Sequence, residues 1–523
     1  MGTGSLKTIV VLILLSVLAF AAGSMASEGA KQALLPVGIL MGVVTLLCLG
    51  KHCWVCAYAA PPIIALIPLG ALSKLPLMYA VAALLLVYWI IMYTLGHVKI
   101  VWHKGLALDI LVFVFSAYFL FTWVRHPVML DVLRNPITDS DNVLVGGAEY
   151  VWGIFALLFY VFLSIVPMSI RRLGNLFKLL FWISLPFLVY GTFTGLNSGS
   201  MSQQYAEAEL SEQMVGARYV GMQQLGETLC NFLVCQYSLF SIICSPWKLG
   251  VYLFGLVGIA LSGFRSGIFY VALTMFFAHI CRKQIVSLLI LGGVAYAGVL
   301  LVTVSGAADE LPYGVRRILS SVPGVELGGR EASDAKASLD WRYEMWDWAL
   351  DPSTGYIKDY IWGDGYGFNI KKYKRQVVSE ARGTYVRSNR DFAAEGQWHS
   401  GWITAIHRTG IVGLVLLFIL HVVFIVYTLR VASYLVNVKN SGFIYYFILP
   451  SLSDVVTFYV SAGTLTSVFK IYSGIALVKV LTSLAIKDGL MPPMFQRKVY
   501  VPMMQREIEQ AAAAGQVPAA LRA

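Results

Sequence analysis

The sequence is short of charge. Only 13% of its 523 residues are Asp, Glu, Lys or Arg, against about 25% in an ordinary soluble domain. With 58% hydrophobic residues, that shortage excludes a water-soluble globular enzyme. Cysteine is sparse as well. Cys48, Cys53, Cys56, Cys230, Cys235, Cys244 and Cys281 all fall in or beside apolar runs, so no disulfide framework is implied. Cys53 and Cys56 form a lone CxxC with no second pair, and that spacing alone assigns no metal or redox chemistry. Alternating ten-residue stretches do not recur, which argues against a membrane barrel. The glycine-rich "WGDGYGFN" (362–369) is followed by no GK[ST], so a phosphate loop of that type is absent. No short-period repeat is visible. The acidic residues show no metal-ligand spacing, and no metal or other cofactor is called for.

What the chain has is apolar runs of about 20 residues, the length that crosses a bilayer as a helix. The fold class is therefore all-α, a polytopic helical membrane protein of about 14 (12–14) transmembrane helices. We place fourteen spans at 8–23, 32–50, 53–72, 76–96, 106–124, 149–170, 174–195, 226–245, 248–263, 266–281, 285–304, 402–428, 442–460 and 464–485. The net charge of +11 fits basic loops on the cytoplasmic face better than nucleic acid. Loops 96–105, 171–178, 281–284 and 430–440 are the basic ones. Placing them inside makes the alternation work and puts both termini inside. Loops 125–148, 196–225 and 305–398 then lie outside. The organisation is an N-terminal transmembrane bundle (1–304), a large periplasmic loop (305–398), C-terminal transmembrane helices (399–485) and a cytoplasmic tail (486–523). The opening 27 residues resemble a signal peptide; we read them as an uncleaved first helix.

The chemistry starts from Arg265 in "LSGFRSG", the only charge between Leu249 and Ile280. Inserting such a charge costs at least about 2.5 to 3.5 kcal/mol and usually marks a pathway or a site. The orientation places Arg265 at an outer turn. There it is either a structural arginine or, with Ser262 and Ser266, an anion cradle, since guanidinium offers phosphate two parallel hydrogen bonds. Arg218 precedes another span on the same side. In "SLDWRYEMWDWALD", Arg342, Trp346 and Leu350 share a helix face. Glu344, Asp347 and Asp351 share another, which reads as a solvated face. The helix is alternatively one that lies on the membrane. "IWGDGYGFN" reads as a tight turn that packs the loop back on the membrane. His399 stands where loop becomes helix, as a structural residue or as one that moves a proton near neutral pH. His407 and Arg408 lie two turns deeper.

Arg218, Arg265, Arg342 and His399 together give three cations and one proton acceptor at one membrane face. That set suits a lipid-borne diphosphate meeting a hydroxyl. The order of "ARYVGMQQLGETL", "LSGFRSG", "DWRYEMWDWALDPSTGYIKDYIWGDGYGFN" and "WHSGWITAIHRTGIVGLV" resembles the O-antigen ligase and polymerase superfamily of bacterial membrane glycosyltransferases, over about residues 210 to 425. The family commonly has Asn after its histidine, where this chain has Ser400.

The resemblance implies a metal-independent glycosyltransferase, without cofactors, in the bacterial inner membrane with its site facing the periplasm. Its donor would be an undecaprenyl-diphosphate-linked glycan. Its acceptor would be a glycan, lipid A–core or protein hydroxyl, and membrane lipids would surround it. Arg218, Arg265 and Arg342 would bind the diphosphate and His399 would activate the acceptor, with Trp346 and Ser266 in support. We lean to ligase-like transfer. A repeat-unit polymerase is the alternative, and a lipid-linked oligosaccharide flippase is a more distant one, since the charges cluster outside and one long loop breaks any symmetry.

Overall fold

The computed structural model describes residues 49–52, 54–55, 85–126, 147–197, 220–262, 265–311, 313–320, 322, 324–325, 330–366, 393, 396, 398–460, 463 and 465–493. The three expected spans at 8–23, 32–50 and 53–72 lie wholly or almost wholly outside these residues, as do Arg218, loop 125–148 and most of the tail. Of the span at 76–96, Leu85–Thr94 is described and is an apolar helix.

The described residues form helices and no strand. Ten long helices follow the ten remaining expected spans: α1 Leu106–Arg125, α2 Gly147–Ile165, α3 Ile170–Asn197, α4 Val220–Gln236, α5 Pro246–Leu261, α6 Arg265–Cys281 and α7 Ile285–Val304. Then come α8 Tyr313–Leu319 and α9 Arg330–Leu350 inside the long loop, followed by α10 Gly401–Leu435, α11 Ser441–Val460 and α12 Leu465–Lys487. Five are long and apolar enough to cross a membrane, and shorter apolar helices stand at Leu85–Thr94, Glu149–Ile165, Pro246–Leu261 and Arg265–Cys281. One expected boundary moves. The run 226–245 is not a single helix, because α4 ends at Gln236 and Ser238 caps a separate short helix, Leu239–Ile243.

Two patterns mark lipid as the solvent. Large apolar side chains face outward: Leu106 (74% exposed) and Val124 (75%) on α1, Leu289 (70%) and Val304 (86%) on α7. Such faces need hydrocarbon around them. Inside, α12 carries a fully buried run, with Ile475, Ala476, Val478, Val480 and Leu481 all at 0%, and packs against α2 and α10. Helices also meet through small residues, as is usual in membranes. A Cβ on Gly255 would lie 2.7 Å from Cys230 Sγ and 3.0 Å from the Gly226 carbonyl, so α4 and α5 cross at backbone distance.

The basic loops gather at one end. His103 N donates to Ser164 O (2.9 Å), and its Nε2 is 2.8 Å from Val166 O. Arg282 donates to the Val234 (2.6 Å) and Tyr237 (2.9 Å) carbonyls, a cation closing the negative end of α4. Asn440 Nδ2 reaches Asn175 Oδ1 at 2.9 Å. Just inside this end Lys479, 0% exposed, pairs with Asp109, and Tyr160 donates to the same carboxylate oxygen at 2.6 Å. The ammonium sits 4.0 Å from the Trp102 ring centroid. At the opposite end are Arg125, Arg265, the described part of the 305–398 insertion and the start of α10.

Removing one partner of a buried pair strands the other, which costs about 3 to 5 kcal/mol. We expect Lys479→Met and Asp109→Asn each to lower the detergent-solubilised melting temperature sharply. The double substitution should melt closer to wild type.

Candidate functional site

The site is built on a break in α10. Thirty-five residues of continuous helix would run about 52 Å, longer than a hydrocarbon core of about 30 Å. Gly410 interrupts it with φ 68° and ψ −179°, a conformation essentially restricted to glycine. The helix proper that continues into the bundle starts at Ile411. The expected tight turn fills the break. Ile411 N donates to Tyr360 O (2.8 Å) and Val412 N to Ile361 O (3.3 Å), while Asp364 N donates to His407 O (2.8 Å) and Gly365 N to Arg408 O (3.1 Å). Backbone groups freed by the break thus find partners in the turn, as burial requires.

Gly363 (φ 81°) and Gly365 (φ 67°) allow that approach. A Cβ on Gly363 would strike the backbone at Thr409 and Gly410, and one on Gly410 the Ile361 carbonyl. The turn is also shaped by two carboxylates. Asp364 accepts from Lys358 N and Asp359 N, both at 2.9 Å. Asp359 Oδ1 accepts from Trp362 N (2.9 Å) and Ile361 N (3.0 Å), and its Oδ2 takes Arg125 of α1 at 2.9 Å. The Trp362 amide, with Arg125 beside it, holds the Asp359 carboxyl below the usual carboxylate range.

His399 immediately precedes this assembly. Its φ is 48°, left-handed and uncommon for a residue with a side chain. It is exposed, while its neighbours Trp398 (0%) and Ser400 (2%) are buried. The imidazole lies edge-on to Trp341 of α9, centroids 4.8 Å apart. Trp341 adjoins Arg342, which is partly buried, and burial pushes its guanidinium down from its ordinary pKa. Trp346 is one turn further on, its ring 5.9 Å from Trp402 and 5.5 Å from Tyr343. A small apolar core of Met345, Ala349, Ile357, Ala393, Trp398, Ile403 and Ile406 sits beneath α9 and joins it to the start of α10. The expected solvated face is present: Glu344, Asp347 and Asp351 are exposed.

Three buried polar atoms around His399 have no hydrogen-bond partner among the described residues: Arg342 Nε, Trp346 Nε1 and Ser400 Oγ. Buried polar atoms are ordinarily satisfied; these three lie on α9 and at the entry to α10, two of them on residues singled out from the sequence.

The structure therefore brings His399, Arg342 and Trp346 into one cluster built from α9 and the entry to α10. Arg265 starts α6, on a different helix at the same end of the bundle, with Ser266 exposed beside it. Arg218 is outside the described residues. Trp341, Trp398 and the Asp364–His407 pair belong to the cluster without having been singled out from sequence, although "IWGDGYGFN" and His407 were visible as features. Among the described residues no group of three His, Cys, Asp or Glu side chains converges as a metal site would.

An interrupted membrane helix, a turn locked into its break and His399 set against α9 place polar side chains at one end of a helical membrane protein. Residues 250–418, from α5 into α10, match the family described as O-antigen ligase. The matched stretch holds Arg265, Arg342 and His399 and supports the resemblance to the O-antigen ligase family. No curated protein matches the chain.

Two outcomes check this geometry. Gly410→Ala should lose about 1 to 3 kcal/mol to backbone strain, plus the clash with Ile361, read as a lower melting temperature. Acidification should loosen the turn through Asp359. Its folded pKa lies below the unfolded value of about 4, so its contribution is complete above that value and is lost as pH falls through the folded pKa. Asp359→Asn should flatten the acid limb of the melting curve.

Proposed function

We propose that the protein is a glycosyltransferase of the bacterial inner membrane. It moves a glycan from an undecaprenyl-diphosphate carrier to a hydroxyl acceptor at the periplasmic face, in the manner of an O-antigen ligase. The acceptor is a glycan, lipid A–core or a protein hydroxyl. The observation that carries this reading is the place of His399 inside the matched domain: exposed, with its ring against Trp341, the residue that precedes Arg342 on α9. The reading takes the topology expected from the sequence: about fourteen spans, the bundle 1–304, the periplasmic loop 305–398, the helices 399–485 and a cytoplasmic tail 486–523. The segregation of basic loops to the other end favours this orientation.

In this reading His399 accepts the proton of the acceptor hydroxyl as its oxygen attacks the anomeric carbon of the donor. The bond between that carbon and the diphosphate oxygen breaks, and the diphosphate leaves with the electron pair. Arg218, Arg265 and Arg342 stabilise the charge that builds there. Trp346 and Ser266 support the arginines. Cations placed this way do the work a divalent metal would do, so the reaction is metal-independent and needs no cofactor.

His399→Ala should fold, bind donor and lower transfer by about 10²- to 10⁴-fold, the usual range for a general base. Arg342→Lys and Arg265→Lys should weaken donor use, since an ammonium lacks the planar fork. A deletion strain separates the readings. Full-length chains left on the carrier indicate a ligase, and single repeats on the final acceptor indicate a polymerase. Absence of carrier-linked glycan outside indicates a flippase and overturns the proposal.

A further inference from the structure

His399 has a backbone conformation that side-chain-bearing residues adopt rarely, and such conformations persist only where the surroundings over-determine them. What holds it is visible on its N-terminal side. Trp398 is fully buried and its indole Nε1 donates to His407 Nδ1 at 3.1 Å. An imidazole nitrogen that accepts a hydrogen bond carries no proton, so the neutral ring bears its hydrogen on Nε2. Nε2 faces Asp364, with Oδ2 3.6 Å away. Asp364 cannot swing off, because Lys358 N and Asp359 N both bond its carboxylate at 2.9 Å. Its own amide holds the His407 carbonyl at 2.8 Å. Arg408 closes the other side, with its guanidinium on the Gly365 carbonyl at 3.1 Å and 5.1 Å from the Tyr366 ring centroid. The Tyr356 ring, 5.9 Å from that of Trp398, backs the indole.

We propose that Trp398 and His407, oriented by Asp364, are positioning residues that fix His399 for proton transfer. The inference rests on the reading of His399 as the proton acceptor and adds what aims it. Asp364 holds the His407 backbone through its own amide and stands 3.6 Å from Nε2, His407 accepts from the indole N–H, and the indole fixes the backbone from which His399 projects toward Trp341. This is the arrangement by which outer groups commonly orient a working histidine, carried here through one extra aromatic link. None of the three touches the reacting atoms. Arg265 and Arg342, two of the arginines that would grip the donor, lie on α6 and α9, so loss of the anchor leaves donor binding intact while the imidazole loses its aim.

The test uses full-length protein in lipid nanodiscs, with carrier-linked glycan extracted from a deletion strain as donor and membranes of that strain as acceptor. Trp398→Phe keeps the ring and removes only the N–H. We expect kcat to fall at least tenfold with the donor KM unchanged and the melting temperature close to wild type. His407→Asn offers an amide oxygen where Nδ1 accepts, whereas His407→Leu offers none; Asn should retain several-fold more turnover than Leu. Wild-type kcat in Trp398→Phe, or equal losses in the two His407 variants, overturns the inference. His399→Ala, measured alongside, keeps the two claims apart. If it is inactive while Trp398→Phe is unaffected, only the positioning role fails. If His399→Ala turns over normally, the reading of His399 itself fails.

Discussion

The functional end of the protein depends on a backbone exchange. At Gly410 the long helix gives up its own hydrogen bonding, and the turn around Asp364 takes the vacated partners. Neither half stands without the other. An open helix at membrane depth would leave polar groups without water or protein to satisfy them. A loop of this length with nothing to grip would pay its ordering entropy for no return. Joined, they give the insertion a rigid seat on the bundle, and α9 lies over the segment that carries His399. Arg125 extends the tie to α1 through Asp359, so the seat is anchored to two spans.

The solvent explains much of the rest. Lipid offers no hydrogen bonds, and the bundle pairs several of its most deeply placed polar groups. Lys479 is completely buried yet has Asp109 and two aromatic faces for company. Thr274 and Ser453 share a bond at 2.8 Å between α6 and α11, as small hydroxyls do between membrane helices. The segment that carries His399 lies at the end away from the basic loops, beside α9.

The membrane helices were legible in the sequence because the bilayer imposes a single rule of length and polarity. The ten expected spans that fall largely within the described residues each coincide with a helix, apart from the stop at Gln236. At that stop Ser238 caps the next short helix, and Arg282, 46 positions from Gln236, closes the carbonyls at the end of α4 through bonds no local pattern announces. Arg265 drew notice because a charge in an apolar run is rare, and His399 because it opens a helix. Trp341 and Trp398 did not, since in a chain with 13 tryptophans nothing local distinguishes a packing ring from one beside a working histidine. The pairing of Asp364 with His407 is a long-range contact. Its two halves were visible separately, as a glycine-rich turn and an intramembrane histidine, but the broken helix that brings them together appears only in three dimensions.

The account stands most directly on the docking of the turn into the break. Hydrogen exchange of the full-length protein in nanodiscs, followed on peptides covering 359–366 and 407–412, measures it. Amides bonded across the seam, those of Asp364, Gly365, Ile411 and Val412, are expected to exchange as slowly as those of the bundle helices. Exchange as fast as in the exposed turn at Ser353 would mean the seat is open in solution, and the arrangement built upon it would have no foundation.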